Sequence, residues 1–109
     1  MARIKDYAVT INSADTTPVV CEMPVHATGD LLIAFCGKDG TATFATPANW
    51  YSASAAASTG AYGAIFTKRA ASGSETLSGT LYTTDASVIA VISVEGQYWD
   101  GATTNGSDA

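Results

Sequence analysis

The chain alternates apolar and polar residues with a period of two, and it lacks the three-to-four-residue spacing that a helix requires. Successive side chains of a β-strand point to opposite faces, so this alternation indicates strands with one buried face. Residues 18–25 and 75–83 alternate in this way, whereas 31–36 and 86–94 are apolar on both sides. Short runs of the second kind are typical of central strands covered on both faces. The sequence therefore predicts an all-β fold.

Turn-forming residues separate the strand-like runs. Residues 26–30 contain Gly-Asp and residues 37–40 end in Asp-Gly, and both segments are typical of hairpin connections. The expected strands cover 3–11, 18–25, 31–36, 41–46, 61–70, 75–83 and 86–94, with a further strand and loop in 47–60. About seven strands at this spacing predict an antiparallel β-sandwich of jelly-roll or immunoglobulin-like type. We expect the sandwich domain over 1–96 and an extended or flexible tail over 97–109.

Length and charge restrict the classes of partner. The chain has 109 residues, 5 of them basic and 10 acidic, which gives a net charge of −5 and suits a single domain. Partners that require clustered positive charge, such as nucleic acid or an anionic membrane, are disfavoured. No apolar run follows Arg3 and Lys5 as in a signal peptide, and none reaches the ~20 residues of a membrane-spanning helix. We expect the protein to remain in the compartment where it is made.

The residues that could carry catalysis or bind a metal match no known arrangement. His26 is the only histidine and lies in a predicted turn, so we expect it on the surface and not acting as a base. Gly-x-Ser-x-Gly and phosphate-loop motifs are absent. A glycosidase needs two acidic residues across a cleft, and the sequence leaves this alternative open. Cys21, His26 and Cys36 do not have zinc-site spacing. We expect no catalytic residue, cofactor or metal, and we interpret both cysteines as core residues, with a cross-strand disulfide as the alternative.

Paired aromatic residues are the remaining candidates for contact with a ligand or another subunit. Trp50 and Tyr51 form one pair, and Tyr98 and Trp99 form the other. Exposed aromatic rings stack on sugars or anchor protein interfaces. The alternative is burial, because a small chain with few large residues needs its tryptophans to fill the space between two sheets. We expect Trp50 in the core, and Trp99 remains open between core and interface.

Four features of residues 29–96 form a recognisable pattern. They are a Gly-Asp-Leu-Leu strand (29–35), a Pro-Ala-Asn-Trp corner (47–50), a strand ending in a basic residue (65–68) and a late apolar strand that closes in a small turn (88–96). The pattern resembles β-sandwich modules of tailed-phage virion proteins and of related bacterial surface proteins. The resemblance implies a jelly-roll or immunoglobulin-like fold with a structural, displayed or adhesive role.

These observations together predict a non-enzymatic structural protein of a phage-like virion. We expect an outer capsid decoration or tail component that is assembled in the host cytoplasm and contacts other virion chains and further copies of itself. The abundant short side chains favour this role, because they lose little conformational entropy when subunits pack together. The alternative is a carbohydrate-binding or host-recognition module with a glycan as its ligand.

Overall fold

The computed structural model describes residues 3–12, 21–40, 46–77 and 86–95. These residues contain five strands: β1 (Arg3–Asn12), β2 (Leu31–Asp39), β3 (Tyr51–Ser58), β4 (Ala61–Arg69) and β5 (Ser87–Glu95). The strands form one antiparallel sheet in the order β1-β5-β2-β4-β3. The described residues include no helix, which confirms the all-β prediction. None of them therefore forms a helix long and apolar enough to cross a membrane.

The described residues form one open sheet, so a sandwich of seven strands is not confirmed. The strands expected over 3–11, 31–36, 61–70 and 86–94 are confirmed, as is a strand within 47–60. The strands expected over 41–46 and 75–83 fall largely on residues outside the described ones, and the tail expected over 97–109 lies outside them entirely.

The strand expected over 18–25 is wrong for its described part, which forms an irregular segment. The backbone N–H of Glu22 donates to the hydroxyl of Thr10, and that of Val25 donates to the carboxylate of Asp6, each at 2.7 Å. A strand would direct these N–H groups to the carbonyls of a neighbouring strand. Here side chains of β1 satisfy them instead, so the segment lies against the sheet without joining it.

One face of the sheet, which we call the core face, carries the hydrophobic core. Alternate residues of the three central strands project from it. Its buried members are Leu32, Ala34, Cys36, Tyr62, Ala64, Phe66, Ile89 and Val91. Residues from the irregular segments cover them, and these are Cys21, Met23, Trp50, Ala70 and Leu77. The core is therefore enclosed between the sheet and irregular segments of the chain.

The turn predicted before β2 is confirmed. The backbone N–H of Asp30 donates to the carbonyl of Ala27 at 3.0 Å, and Gly29 has a φ of +93°, which glycine adopts without strain. This turn follows an irregular segment and not a hairpin strand. The turn predicted after β2 begins later than expected, because the strand continues to Asp39 and positive φ appears only at Gly40.

Candidate interaction surface

The face opposite the core, which we call the outer face, is apolar and exposed. It is formed by the residues that alternate with core positions along all five strands. Seven of the eight large hydrophobic side chains that are exposed among the described residues lie on it, with exposed fractions of 44 to 71%. They are Ile4, Tyr7, Val9, Ile11, Phe35, Tyr51 and Val88. The eighth, Val25, lies in the irregular segment before β2.

The amino-acid pattern of β2 and β5 explains why this face is apolar. Both strands are apolar on both sides, so Phe35 and Ala90, which are register partners, project outward while their neighbours enter the core. The expectation that these strands are covered on both faces is met at Leu31, which is 3% exposed, but not at Phe35 and Val88, which are 44% and 47% exposed. Strands suited to burial on both sides thus leave the middle and the Asp39 end of their outer side exposed.

Charged residues of the outer face lie only at its two ends, as far as the described residues extend. Arg69 closes β4 and pairs in register with Leu31, whereas Asp39 closes β2 and pairs with Ala61. Arg69 and Asp39 therefore lie at opposite ends of the sheet. Between them the outer face is uncharged.

A shallow depression extends the outer face at its Asp39 end. It has a volume of about 430 Å³, and Ile11, Gly37, Ser87 and Val88 are among its lining residues. The hydroxyl of Ser87 is buried with no hydrogen-bond partner among the described residues. The depression gives this end of the outer face a concave, largely apolar margin.

His26 is buried, with 9% of its surface exposed, so the expectation of a surface turn residue is wrong. Its Nε2 lies 3.0 Å from the backbone N–H of Glu75, which can only donate, so Nε2 accepts this hydrogen bond. Nδ1 lies 2.8 Å from the carbonyl of Pro24 and donates to it. The ring therefore joins two irregular segments that are 49 residues apart in the chain. Sequence spacing gave no signal for a partner at that distance.

Glu75 stabilises the same end of the core through two further contacts. Its carboxylate accepts hydrogen bonds from Lys68 at 2.8 Å and from the backbone N–H of Ala71 at 2.6 Å. The hydrogen bond from Lys68 and then that from Ala71 lower the pKa of Glu75 despite opposing burial. Glu75 and His26 thus hold the 71–77 segment against the sheet.

A second ion-pair group joins β1, β5 and the start of β2. Lys5 lies 2.6 Å from Asp30 and 3.5 Å from Glu95, and Arg3 also pairs with Glu95. Burial of Asp30 opposes its charged form, but hydrogen bonds from Lys5 and from the N–H of Ala27 outweigh this effect and lower its pKa. These contacts fix the ends of three strands, and we assign them a structural role.

The structure separates the Trp50–Tyr51 pair. Trp50 is 7% exposed, and its indole N–H donates to the carbonyl of Thr76 at 3.3 Å, which confirms the predicted core position. A turn precedes it, in which Asn49 has a φ of +68°. The next side chain, Tyr51, projects from the outer face and is 70% exposed. Tyr98 and Trp99 lie outside the described residues.

Both cysteines are core residues, as the sequence predicted. Cys21 and Cys36 are buried and are not joined by a disulfide. Burial raises the pKa of Cys21 to about 11 and that of Cys36, with a further contribution from Cys21, to about 12. Thiolate, the reactive form, is therefore scarce at neutral pH. Within the described ranges, no group of three or more His, Cys, Asp or Glu residues could hold a metal ion.

Comparison of the chain with family models, with curated proteins and with solved structures found no match in any of the three.

Proposed function

We propose that the protein is a non-enzymatic structural protein that acts through subunit–subunit contacts made by its outer face. The observation that carries this proposal is the uncharged surface between Arg69 and Asp39, on which seven large hydrophobic side chains are exposed. Large apolar patches on soluble proteins mark sites of association, whereas single exposed hydrophobic residues are ordinary. The outer face spans five strands, so we interpret it as a large patch and not as a set of single exposed residues.

The orientation of β1 supports the same proposal. Its large apolar residues Ile4, Tyr7, Val9 and Ile11 all face outward, whereas its polar residues face the core side, where Asp6 binds a backbone N–H. An edge strand of a monomer with a single covered face would be expected to have the reverse polarity. The sequence of β1 is thus suited to a protein in which the outer face is covered.

The chemistry of the described polar residues also supports a non-enzymatic role. Both ring nitrogens of His26 bind backbone groups, and the thiols of Cys21 and Cys36 are buried with raised pKa values. General-base and nucleophilic catalysis require groups that are accessible and titrate near neutral pH. We assign these three residues to the maintenance of the fold.

A phage-like virion is the setting that we propose, with the protein as an outer capsid decoration or tail component assembled in the host cytoplasm. The resemblance of residues 29–96 to tailed-phage virion modules supports this setting. Other virion chains would be its partners together with copies of itself. Neither nucleic acid nor a membrane would be expected as a partner, because the chain has a net charge of −5.

Light scattering coupled to size-exclusion chromatography tests the proposal. We expect a mass above that of the 11.1 kDa chain, increasing with loading concentration if association is weak. Binding of the dye ANS should fall over the same concentration range, because association covers apolar surface. A strictly monomeric protein at its highest soluble concentration would contradict the proposed function.

A carbohydrate-binding module is the second candidate, and the exposure of Tyr51 favours it. The ring is 70% exposed, and the exposed Asn49 precedes it by two residues and could bond to sugar hydroxyls. A glycan-array screen should then show binding that Tyr51→Ala abolishes. Tyr7→Ala is the matched control, because Tyr7 of β1 is another exposed aromatic residue on the outer face. Equal effects of both variants would contradict a Tyr51 sugar site.

A further inference from the structure

We propose that the outer face binds the outer face of a second copy of this chain, and that the two sheets stack antiparallel about a two-fold axis near Phe35. The inference rests on the proposed function, because it names the partner and the arrangement of the subunit contact. It requires that the face be large enough, complementary to itself and centred on a suitable residue. The following observations bear on each requirement.

The area of the outer face suits a stable dimer. Five strands at a spacing of ~4.8 Å and about nine residues at ~3.3 Å each form a face of ~24 by ~30 Å, or ~700 Å². Two such faces in contact would bury ~1,400 Å² in total, within the ~1,200–2,000 Å² of specific, stable interfaces. Contact between two outer faces would therefore bury enough area for a stable dimer without any other part of the surface.

The lack of charge on the outer face permits an identical partner there. Each chain carries a net charge of −5, so two copies repel one another over most of their surfaces. The outer face is uncharged between Arg69 and Asp39, so contact there adds no like-charge pair at its centre. Two packed sheets of this kind would form a sandwich with sheets ~10 Å apart.

Phe35 lies at the geometric centre of the face. It is the fifth of the nine residues of β2, and β2 is the middle strand of the five. Its ring is 44% exposed, and its register partner Ala90 leaves room beside it. A two-fold axis through the centre would bring Phe35 against Phe35 of the second copy. Aromatic residues at the centre of an interface carry a large share of its binding energy.

The end charges select the antiparallel arrangement. A two-fold axis in the interface plane and perpendicular to the strands places the Arg69 end of one sheet over the Asp39 end of the other. Because β4 and β2 are adjacent, the two opposite charges then lie near one another, and symmetry repeats the pair. An axis parallel to the strands would instead bring like ends together. The antiparallel stack is therefore favoured electrostatically.

The first experiment compares Phe35→Lys with Val25→Lys by light scattering and sedimentation. Val25 is also exposed but lies off the outer face, so it is a control with the same added charge. We expect wild type and Val25→Lys at twice the 11.1 kDa chain mass. Phe35→Lys should raise the dissociation constant of the dimer by about 30-fold or more, as for a central interface residue. Circular dichroism checks that both variants keep the fold.

The second experiment keeps Phe35 intact and crosslinks Ala90→Cys. Sheets ~10 Å apart are too distant for a disulfide, whose Cα atoms lie within ~7 Å, so a short bismaleimide is the reagent. We expect covalent dimers from Ala90→Cys and none from Val25→Cys. Cys21 and Cys36 are buried, so they should contribute no product in wild type.

The third experiment tests the orientation by charge reversal. Asp39→Arg and Arg69→Asp should each weaken the dimer, and the double variant should recover most of the loss. If the single variants have no effect, or the double variant is weakened as much as both singles together, the antiparallel stack is wrong.

The outcomes separate this inference from the proposed function. If the protein forms oligomers that resist Phe35→Lys and do not crosslink through Ala90→Cys, the subunit contact lies elsewhere and the inference alone is overturned. A monomer in which the thiol of Ala90→Cys is protected from maleimide would show that the chain covers its own outer face, and this would overturn the inference and the proposed function together. A monomer in which that thiol reacts readily would overturn the inference and the proposed function together.

Discussion

Replacement of His26 by alanine tests the structural role of the buried ring. The substitution removes the hydrogen bonds to the Pro24 carbonyl and the Glu75 N–H, at 2.8 and 3.0 Å. Each such bond contributes about 1 kcal/mol net, and groups left buried without partners cost more. The lost ring also leaves a cavity beneath the covering segments. We therefore expect the free energy of unfolding to fall by about 2–4 kcal/mol, measured by urea denaturation at neutral pH.

Two matched variants make this measurement decisive. His26→Gln retains a side-chain carbonyl that can accept from the Glu75 N–H, so it should recover roughly half of the loss. Thr28→Ala removes an exposed side chain whose hydrogen bond to the carbonyl of Ala71 is 3.4 Å long, so it should cost under about 0.5 kcal/mol. If His26→Ala costs no more than Thr28→Ala, the ring is not a structural bridge. Such a result would restore the interpretation of a surface histidine.

Three further predictions follow from single residues. Gly29→Ala should lower the free energy of unfolding by about 1 kcal/mol because its φ is +93°, whereas Gly37→Ala, with open space at its Cβ, should be nearly neutral in urea unfolding. Cys21 and Cys36 should react with DTNB at pH 8 only after denaturation, since their pKa values are about 11 and about 12; rapid native-state labelling would contradict their burial. The lowered pKa of Asp30 stabilises the fold above its unfolded-state pKa of about 3.9, and this contribution is lost as the pH falls through the lower folded-state pKa. Asp30→Asn should therefore be less stable than wild type at pH 7 and lose less stability on acidification. If the urea midpoints of the two proteins fall by the same amount from pH 7 to pH 2, this prediction is wrong.

Local sequence pattern predicted the strands because their signals are local. The apolar runs of β2 and β5 each specify extended backbone without reference to distant residues. The core position of Trp50 was predictable on similar grounds, since its volume requires burial in so small a chain. The number of layers was not predictable in this way, because it depends on how the strands are arranged.

Contacts between distant residues account for what the sequence did not reveal. His26 follows the irregular segment and resembles a solvated turn residue until Glu75, 49 residues later, is placed beside it. The residues before it alternate like a strand, yet Asp6 and Thr10 of β1 bind their N–H groups and keep them out of the ladder. In both cases the residue that determines the local structure is too distant in the chain to be found from the periodicity of neighbouring residues.

The register of β1 links the exposed outer face to the specificity of the fold. Because side chains alternate strictly, a slip of one residue against β5 would turn Val9 and Ile11 toward the core side and Thr10 outward. A monomer with only its core face covered would gain buried apolar area from that slip. The observed register is favoured when something apolar meets Val9 and Ile11 from outside, which a second sheet does. Association through the outer face would therefore stabilise this register of β1 as well as join two chains.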